Sequence, residues 1–282
     1  MRDLAGRTFL ITGANTGIGK ETARALASRD ARVYLACRSQ ESGRRAIEEI
    51  SAQTGNRGLQ LLALDLGDLA SVRRCAEEFL ATGEPLHVLI NNAGVAGARG
   101  MTESGFERTF GTNHVGPFLL TSLLLDRLRA SAPARIVNVA SVAHYEAPGI
   151  DWEVVRRPTR TITGMREYRV SKLANVLHAQ ELGRRLEGTG VRTYALHPGV
   201  IASDIWRRVP WPVRSLMKSR MDSPEHGART SLYCAISSEV AGETGRYYDD
   251  CHAKEPAAAA TAELADELWG RSSEWTEQTT SA

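Results

Sequence analysis

Apolar residues in this chain fall in short continuous runs, separated by stretches with helical spacing. The first run, Thr8–Thr12, ends in a glycine-rich turn, and residues 17–29 then place Ile18, Ala23, Ala25 and Leu26 at helical intervals. The alternation repeats. Runs at Arg32–Cys37, 59–64, 86–90, 134–140 and Val191–His197 read as further strands, the last stopped by Pro198 and Gly199. Residues 41–51, 69–80, 166–187 and 224–237 read as helices, with Gly67 or Asp68 near the start of the second. Residues 102–130 form a long helical stretch interrupted at Gly111 and at Gly116 and Pro117, and residues 245–249 are a seventh strand. Continuous apolar runs are what strands buried on both faces need. Strands alternating with helices are joined by right-handed crossovers. The expected fold is therefore α/β, a doubly wound parallel sheet of about seven strands with helices on both faces.

No domain boundary is visible, so one domain over residues 1–282 is expected. The one shift in composition is the Pro/Ala-rich stretch 254–260. Beyond it, residues 262–269 predict a short terminal helix and the last dozen residues a frayed tail.

Composition narrows the function classes. The 282 residues are 42% hydrophobic and 24% charged with a net charge of +2, as in an ordinary globular protein. That balance favours no nucleic-acid partner. Cys37, Cys75, Cys234 and Cys251 are scattered and form no CxxC pair, which suits free thiols in a reducing compartment. The seven histidines lack metal-ligand spacing, so no metal is expected. The amino-terminal run MRDLAGRTFLITG has no signal-like apolar region, and no stretch of about 18 apolar residues occurs. The expectation is a soluble, cytoplasmic protein.

The turn after the first strand reads Gly13-Ala-Asn15-Thr16-Gly17-Ile18-Gly19. Glycines there let the backbone turn sharply and approach a pyrophosphate, while the next helix presents free N–H groups to it. The spacing is GxxxGxG rather than GxGxxG. The end of the second strand chooses between cofactors, because an acid there binds a ribose 2′-hydroxyl. Here it reads Ala36-Cys37-Arg38-Ser39, with no acid, and the Arg38 guanidinium suits a 2′-phosphate. NADP(H) is expected over NAD(H).

TGANTGIG, LALDLGD, INNAG, VNVASVA, YRVSK and HPGVIASD occur in that order. Together they resemble the ordered motifs of the short-chain dehydrogenase/reductase superfamily, from about residue 7 to residue 252. The phrases ANTGIGKETARALA, RVYLACR, FGTNHVGPFLLT, SKLANVLHAQEL and TSLYCA are most similar to its retinol dehydrogenase group. The resemblance implies a Rossmann-type domain in which Asn113, Ser141, Tyr168 and Lys172 are catalytic. Tyr168 and Lys172 share one helix face, one turn apart. Ionising a tyrosine near pH 7 takes about 4 kcal/mol. One positive charge at about 4 Å, at an effective dielectric of about 20, supplies about that much. Tyr168 would then be general acid in carbonyl reduction and general base in alcohol oxidation. Ser141 ends the fifth strand, where its hydroxyl can hold the substrate oxygen, although Ala140 stands before it where many relatives have a second serine. The resemblance further assigns Lys172 to the nicotinamide ribose and Asn113 to a water in a proton relay. It brings Asn92, Ala93 and Gly94 near the adenosine ribose, and Asp65 and Leu66 near the adenine. Pro198, Gly199, Val200 and Ser203 come near the nicotinamide.

The substrate side is less defined. Residues 203–223 are expected to form a lid with Trp206, Trp211, Leu216 and Met217, and no acid occurs between Ile205 and Met221. An amphipathic lid with solvated cations is the simpler reading of 205–221, and peripheral contact with an anionic membrane the other. Residues 145–165 and 95–101 are expected to wall the pocket. The expected function is an oxidoreductase interconverting a hydrophobic alcohol and its aldehyde or ketone, the alternative a catalytically silent NADP(H)-binding regulator. Physiological substrate, reaction direction and oligomeric state stay open.

Overall fold

The structure is a computed structural model, and it describes residues 3–199 and 223–278. Seven strands lie parallel in one sheet. They are β1 (Thr8–Thr12), β2 (Arg32–Cys37), β3 (Leu59–Ala63), β4 (Val88–Asn91), β5 (Ala134–Val139), β6 (Val191–His197) and β7 (Arg246–Asp249), in the order β3-β2-β1-β4-β5-β6-β7. An eighth strand, β8 (His252–Lys254), pairs antiparallel with β7 at the edge. The sequence reading stopped at about seven because β8 is three exposed residues with no apolar run to signal it. It exists because Asp250 and Cys251 take positive φ, 45° and 63°, and so make the two-residue turn that folds β8 back.

The central strands are buried on both faces, which is why they read as unbroken apolar runs. One face is covered by α1 (Gly17–Ala27), α2 (Gln40–Thr54) and α7 (Pro224–Ile236), and the other by α3 (Leu69–Ala81), α5 (Gly116–Ala130) and α6 (Met165–Arg185). The chain goes outward from β1 to β3 and then returns to place β4 beside β1. This reversal of strand order opens a crevice at the carboxyl ends of β1 and β4, where open α/β sheets bind ligands.

Two boundaries depart most from expectation. Helical structure begins with the short α4 (Arg108–Phe110) rather than at Thr102, because Glu107 takes the N-cap and accepts bonds from the amides of Thr109 and Phe110 at 2.8 Å. The chain then passes through a π turn, Gly111–Val115, into α5 without a break. Gly116 interrupts nothing; a Cβ on it would meet the Leu66 carbonyl oxygen at 2.3 Å, so glycine is what lets α5 dock. The terminal helix α8 runs over Ala262–Gln278, through most of the expected frayed tail. Tertiary contacts extend it: Trp269 meets Phe118 edge-on at 5.1 Å, Trp275 meets Phe106 at 5.5 Å, and buried Ser272 bonds His114 at 2.9 Å.

Among the described residues no helix is long and apolar enough to cross a membrane, and no cluster of His, Cys, Asp or Glu could hold a metal ion. The four cysteines are free. The expected lid falls outside the described residues apart from Ser223, which caps α7.

Candidate active site

The phosphate-loop residues are shaped by backbone demands. Gly13 (φ +66°) bonds through its amide to the Ala36 carbonyl at 2.8 Å, and a Cβ on it would press on Ala93 at 3.0 Å. Gly17 takes φ +55°, and a Cβ on Gly19 would lie 2.4 Å from the Asn92 amide nitrogen and 2.6 Å from the Gly13 carbonyl oxygen. Across the crevice the β4 end is locked onto this turn. Buried Thr12 accepts at Oγ1 from the amides of Asn92 and Ala93, both at 3.0 Å, and the Asn92 side chain donates to the Thr12 carbonyl at 2.8 Å. α1 starts without a side-chain cap bond and without an acid in its first turn. Its first N–H groups and the positive end of its dipole are thus left to an anion.

At the end of β2, Arg38 is largely exposed, 4.0 Å from the Asp65 carboxylate, whose other oxygen accepts from the Gly67 amide at 2.9 Å. Ser42 on α2 reaches back to the turn and accepts from the Asn15 side chain at 2.9 Å.

The opposite end is built from buried side chains. Ser141 lies two residues past the end of β5 in extended backbone and caps the short 3₁₀ turn Val142–Glu146, accepting from the Ala143 amide at 3.2 Å. α6 brings Tyr168 and Lys172 to the same place. Burial pushes the Tyr168 phenol above its usual pKa, while its hydrogen bond with the Ser141 hydroxyl pulls it down. Lys172 is buried and donates to the Val139 carbonyl at 2.7 Å, with Nζ 5.6 Å from the centre of the Tyr168 ring. Burial pushes its ammonium down to about 8. Asn113, in the π turn, donates to the Val95 carbonyl and the Ser171 hydroxyl at 3.0 Å and accepts from the Val95 amide at 2.8 Å. A Cβ on Gly94 would meet Asn113 Oδ1 at 3.4 Å and Lys172 Nζ at 3.5 Å, so this glycine lies between the two side chains.

Most of these features open onto one cleft of about 840 Å³. It is lined by Gly13, Asn15, Thr16, Gly17, Ile18, Gly19, Arg38, Asp65, Leu66, Asn92, Ala93, Gly94, Ser141, Tyr168, Lys172, Pro198 and Gly199. Asn113 stands behind the wall, and Val200 and Ser203 lie outside the described residues. Val95, Ala96, Ala98, Glu146 and Met165 line the cleft too, from the two segments expected to wall the pocket, and Val142 and Ala143 join them from the turn after Ser141. The sequence reading missed Thr12, Ser42, Thr112 and His197. Thr12 and His197 end strands at the crevice edge, a position that could have flagged them; Ser42 and Thr112 sit in helical segments and carry no such mark.

A parallel sheet with its crevice at the strand reversal, a glycine turn at one end and a buried Tyr–Lys pair at the other define the class of nucleotide-dependent oxidoreductases. A family model described as short chain dehydrogenase matches residues 7–154. Human retinol dehydrogenase 12 is 48% identical over 256 residues, covering 88% of this chain and 79% of its own. Human dehydrogenase/reductase SDR family member 13 is 45% identical, covering 95% and 73%. Among solved structures, an uncharacterized protein from Mycobacterium Paratuberculosis superposes with a TM-score of 0.77 at 33% identity, over 98% of this chain and 95% of that one. The Pseudomonas aeruginosa RhlG/NADP active-site complex does so with a TM-score of 0.70 at 28% identity, over 88% and 96%. The chain belongs to the short-chain dehydrogenase family, and within it is similar to the retinol dehydrogenase group.

Proposed function

We propose that this chain is an NADP(H)-dependent oxidoreductase interconverting a hydrophobic alcohol and its aldehyde or ketone. The observation that carries the reading is the convergence of Ser141, Tyr168 and Lys172 at the buried end of the cleft whose other end is the glycine turn. The cleft fits a dinucleotide. Its turn has no room for a Cβ at Gly19, and the uncapped start of α1 faces the space where a pyrophosphate would lie. The preference for NADP(H) rests on Arg38, exposed at the end of β2 with no acid beside it in sequence.

The nicotinamide, when bound, supplies or accepts the hydride. Tyr168 moves the proton: its phenol protonates the carbonyl oxygen in reduction and accepts the hydroxyl proton in oxidation. The Ser141 hydroxyl holds that oxygen beside the phenol. A buried positive charge beside the phenol favours the phenolate and so works against the upward push of burial. Lys172 supplies that charge, held by the Val139 carbonyl, and Asn113 closes the wall behind it. The apolar wall of Val95, Ala96, Ala98, Val142 and Met165 suits a substrate with an apolar body next to its carbonyl.

The test is oxidation of NADPH and of NADH with a panel of retinal, medium-chain aldehydes, steroids and aromatic ketones. Turnover with a hydrophobic carbonyl and a preference for NADPH are expected. Tight dinucleotide binding with no turnover on any substrate would instead mark a silent regulator, and equal use of both cofactors would remove the assignment of Arg38.

A further inference from the structure

The Pro/Ala-rich stretch after β8 has no part in the sheet, yet it touches the catalytic turn. The side chain of His144, in the 3₁₀ turn that follows Ser141, is completely buried. Its Nδ1 lies 2.7 Å from the Ser141 carbonyl oxygen, and its Nε2 lies 3.1 Å from the Ala257 amide nitrogen. A carbonyl only accepts and a backbone amide only donates, so the imidazole is the neutral tautomer with its proton on Nδ1. Both ring nitrogens are spent. The next residue repeats the link, for the Tyr145 hydroxyl donates to the Glu255 carbonyl at 2.6 Å. Tyr247 of β7 packs against the His144 ring with centroids 4.6 Å apart.

We infer that His144 is a positioning residue, and that the backbone at Glu255 and Ala257 is a strap which, through it, holds Ser141 at the angle the reaction needs. The inference rests on the proposed role of Ser141. The Ser141 carbonyl accepts from the His144 amide at 3.1 Å as well as from its ring. One end of the residue is therefore fixed from a segment more than a hundred positions away, while its hydroxyl accepts from the Ala143 amide and, beside Tyr168, pulls the phenol down. A hydroxyl displaced by about an ångström from its working position costs on the order of 10²-fold in rate. The antiparallel β8 gains a purpose from this: it turns the chain back so that the strap runs beside the catalytic turn.

The test is a double-mutant cycle. His144→Ala removes the ring, and Ala257→Pro removes the N–H that the ring accepts from, at a place far from substrate. Each is expected to lower kcat about 10- to 100-fold, with dinucleotide affinity, read by fluorescence titration, within about threefold of the parent. If both act through one link, the double variant is no slower than His144→Ala alone. His144→Asn, whose Nδ2 stands where the ring Nδ1 stood, recovers more of kcat than His144→Gln in the chain with Ala257→Pro, because only the bond to Ser141 is left to restore. Losses that multiply in the double variant, or an unchanged kcat in His144→Ala, overturn the proposal. Ser141→Ala separates this from the reading beneath it: if that variant keeps its kcat, the role of Ser141 fails and the strap has nothing to position. Should Ala257→Pro not fold, Tyr145→Phe removes the hydroxyl that donates to the Glu255 carbonyl and tests the parallel link: a lowered kcat with unchanged dinucleotide affinity is expected, and an unchanged kcat overturns the proposal.

Discussion

The two ends of the cleft are built from different materials. At the nucleotide end, backbone does the work: Gly13, Gly17 and Gly19 are needed for what they lack, and Thr12 and Asn92 tie one strand end to the next. At the carbonyl end, side chains from α6 and the turn after β5 meet in near-complete burial, and their chemistry depends on one another's charge and hydrogen bonds. The first end can be damaged by adding a methyl group. The second can be silenced by removing one oxygen without moving an atom of the fold. Binding and chemistry are therefore separable by mutation, and four experiments can break or sharpen that separation.

The largest effect is expected from Tyr168→Phe. It keeps the ring beside Lys172 and removes the hydroxyl proposed to move the proton, so kcat should fall by at least about 10³-fold, while dinucleotide affinity by fluorescence titration stays near the parent's. Near-native turnover would remove the phenol from the mechanism. Next is Arg38→Asp, which exchanges a guanidinium for the acid that binds a ribose diol. A charge-assisted bond of about 2–3 kcal/mol implies that the NADPH:NADH ratio of kcat/KM falls by about 100-fold. An unchanged ratio would place discrimination elsewhere. Gly19→Ala puts a methyl group into backbone at Gly13 and into the Asn92 side chain, for a loss of about 2 kcal/mol in dinucleotide binding or thermal stability. If neither moves, the turn is looser than its geometry.

The smallest effect is electrostatic and belongs to the dinucleotide-free protein. Burial holds the Lys172 ammonium at about 8 in the folded state, against about 10.4 when unfolded. Between those values the unfolded chain binds a proton that the folded chain has released. Stability contributed by this residue therefore rises with pH across the window, by at most about 1.4 kcal/mol per pH unit. Urea midpoints at pH 7.5 and 9.5 should show the parent gaining on Lys172→Met as pH rises. Parallel lines would mean the amine stays charged when folded.

Much of the nucleotide end was legible from the sequence because it is local. A strand, a glycine turn and a helix start follow within twelve residues, and Arg38 sits at the end of the very next strand. The carbonyl end was legible through spacing and family resemblance, since Tyr168 and Lys172 are one helical turn apart and Ser141 closely follows a strand. What spacing could not reveal is where the charge lands. Lys172 donates to the Val139 carbonyl, and its Nζ lies 5.6 Å from the centre of the Tyr168 ring. The extent of α8 also escaped, since Trp269, Ser272 and Trp275 find partners on Phe118, His114 and Phe106, more than a hundred residues earlier.

By itself, then, the sequence determined the order of strands and helices, the glycine turn, and which residues the proposed chemistry calls on. These follow from periodicity and from backbone preferences that act over a few residues. The tertiary structure alone decided the short β8, the length of α8, the burial that moves Tyr168 and Lys172 in opposite directions, and the link from Ala257 through His144 to Ser141. Each of these is a contact between segments far apart in the chain. Burial and hydrogen-bond partners at such distances are properties of the packed molecule, with no local pattern to announce them.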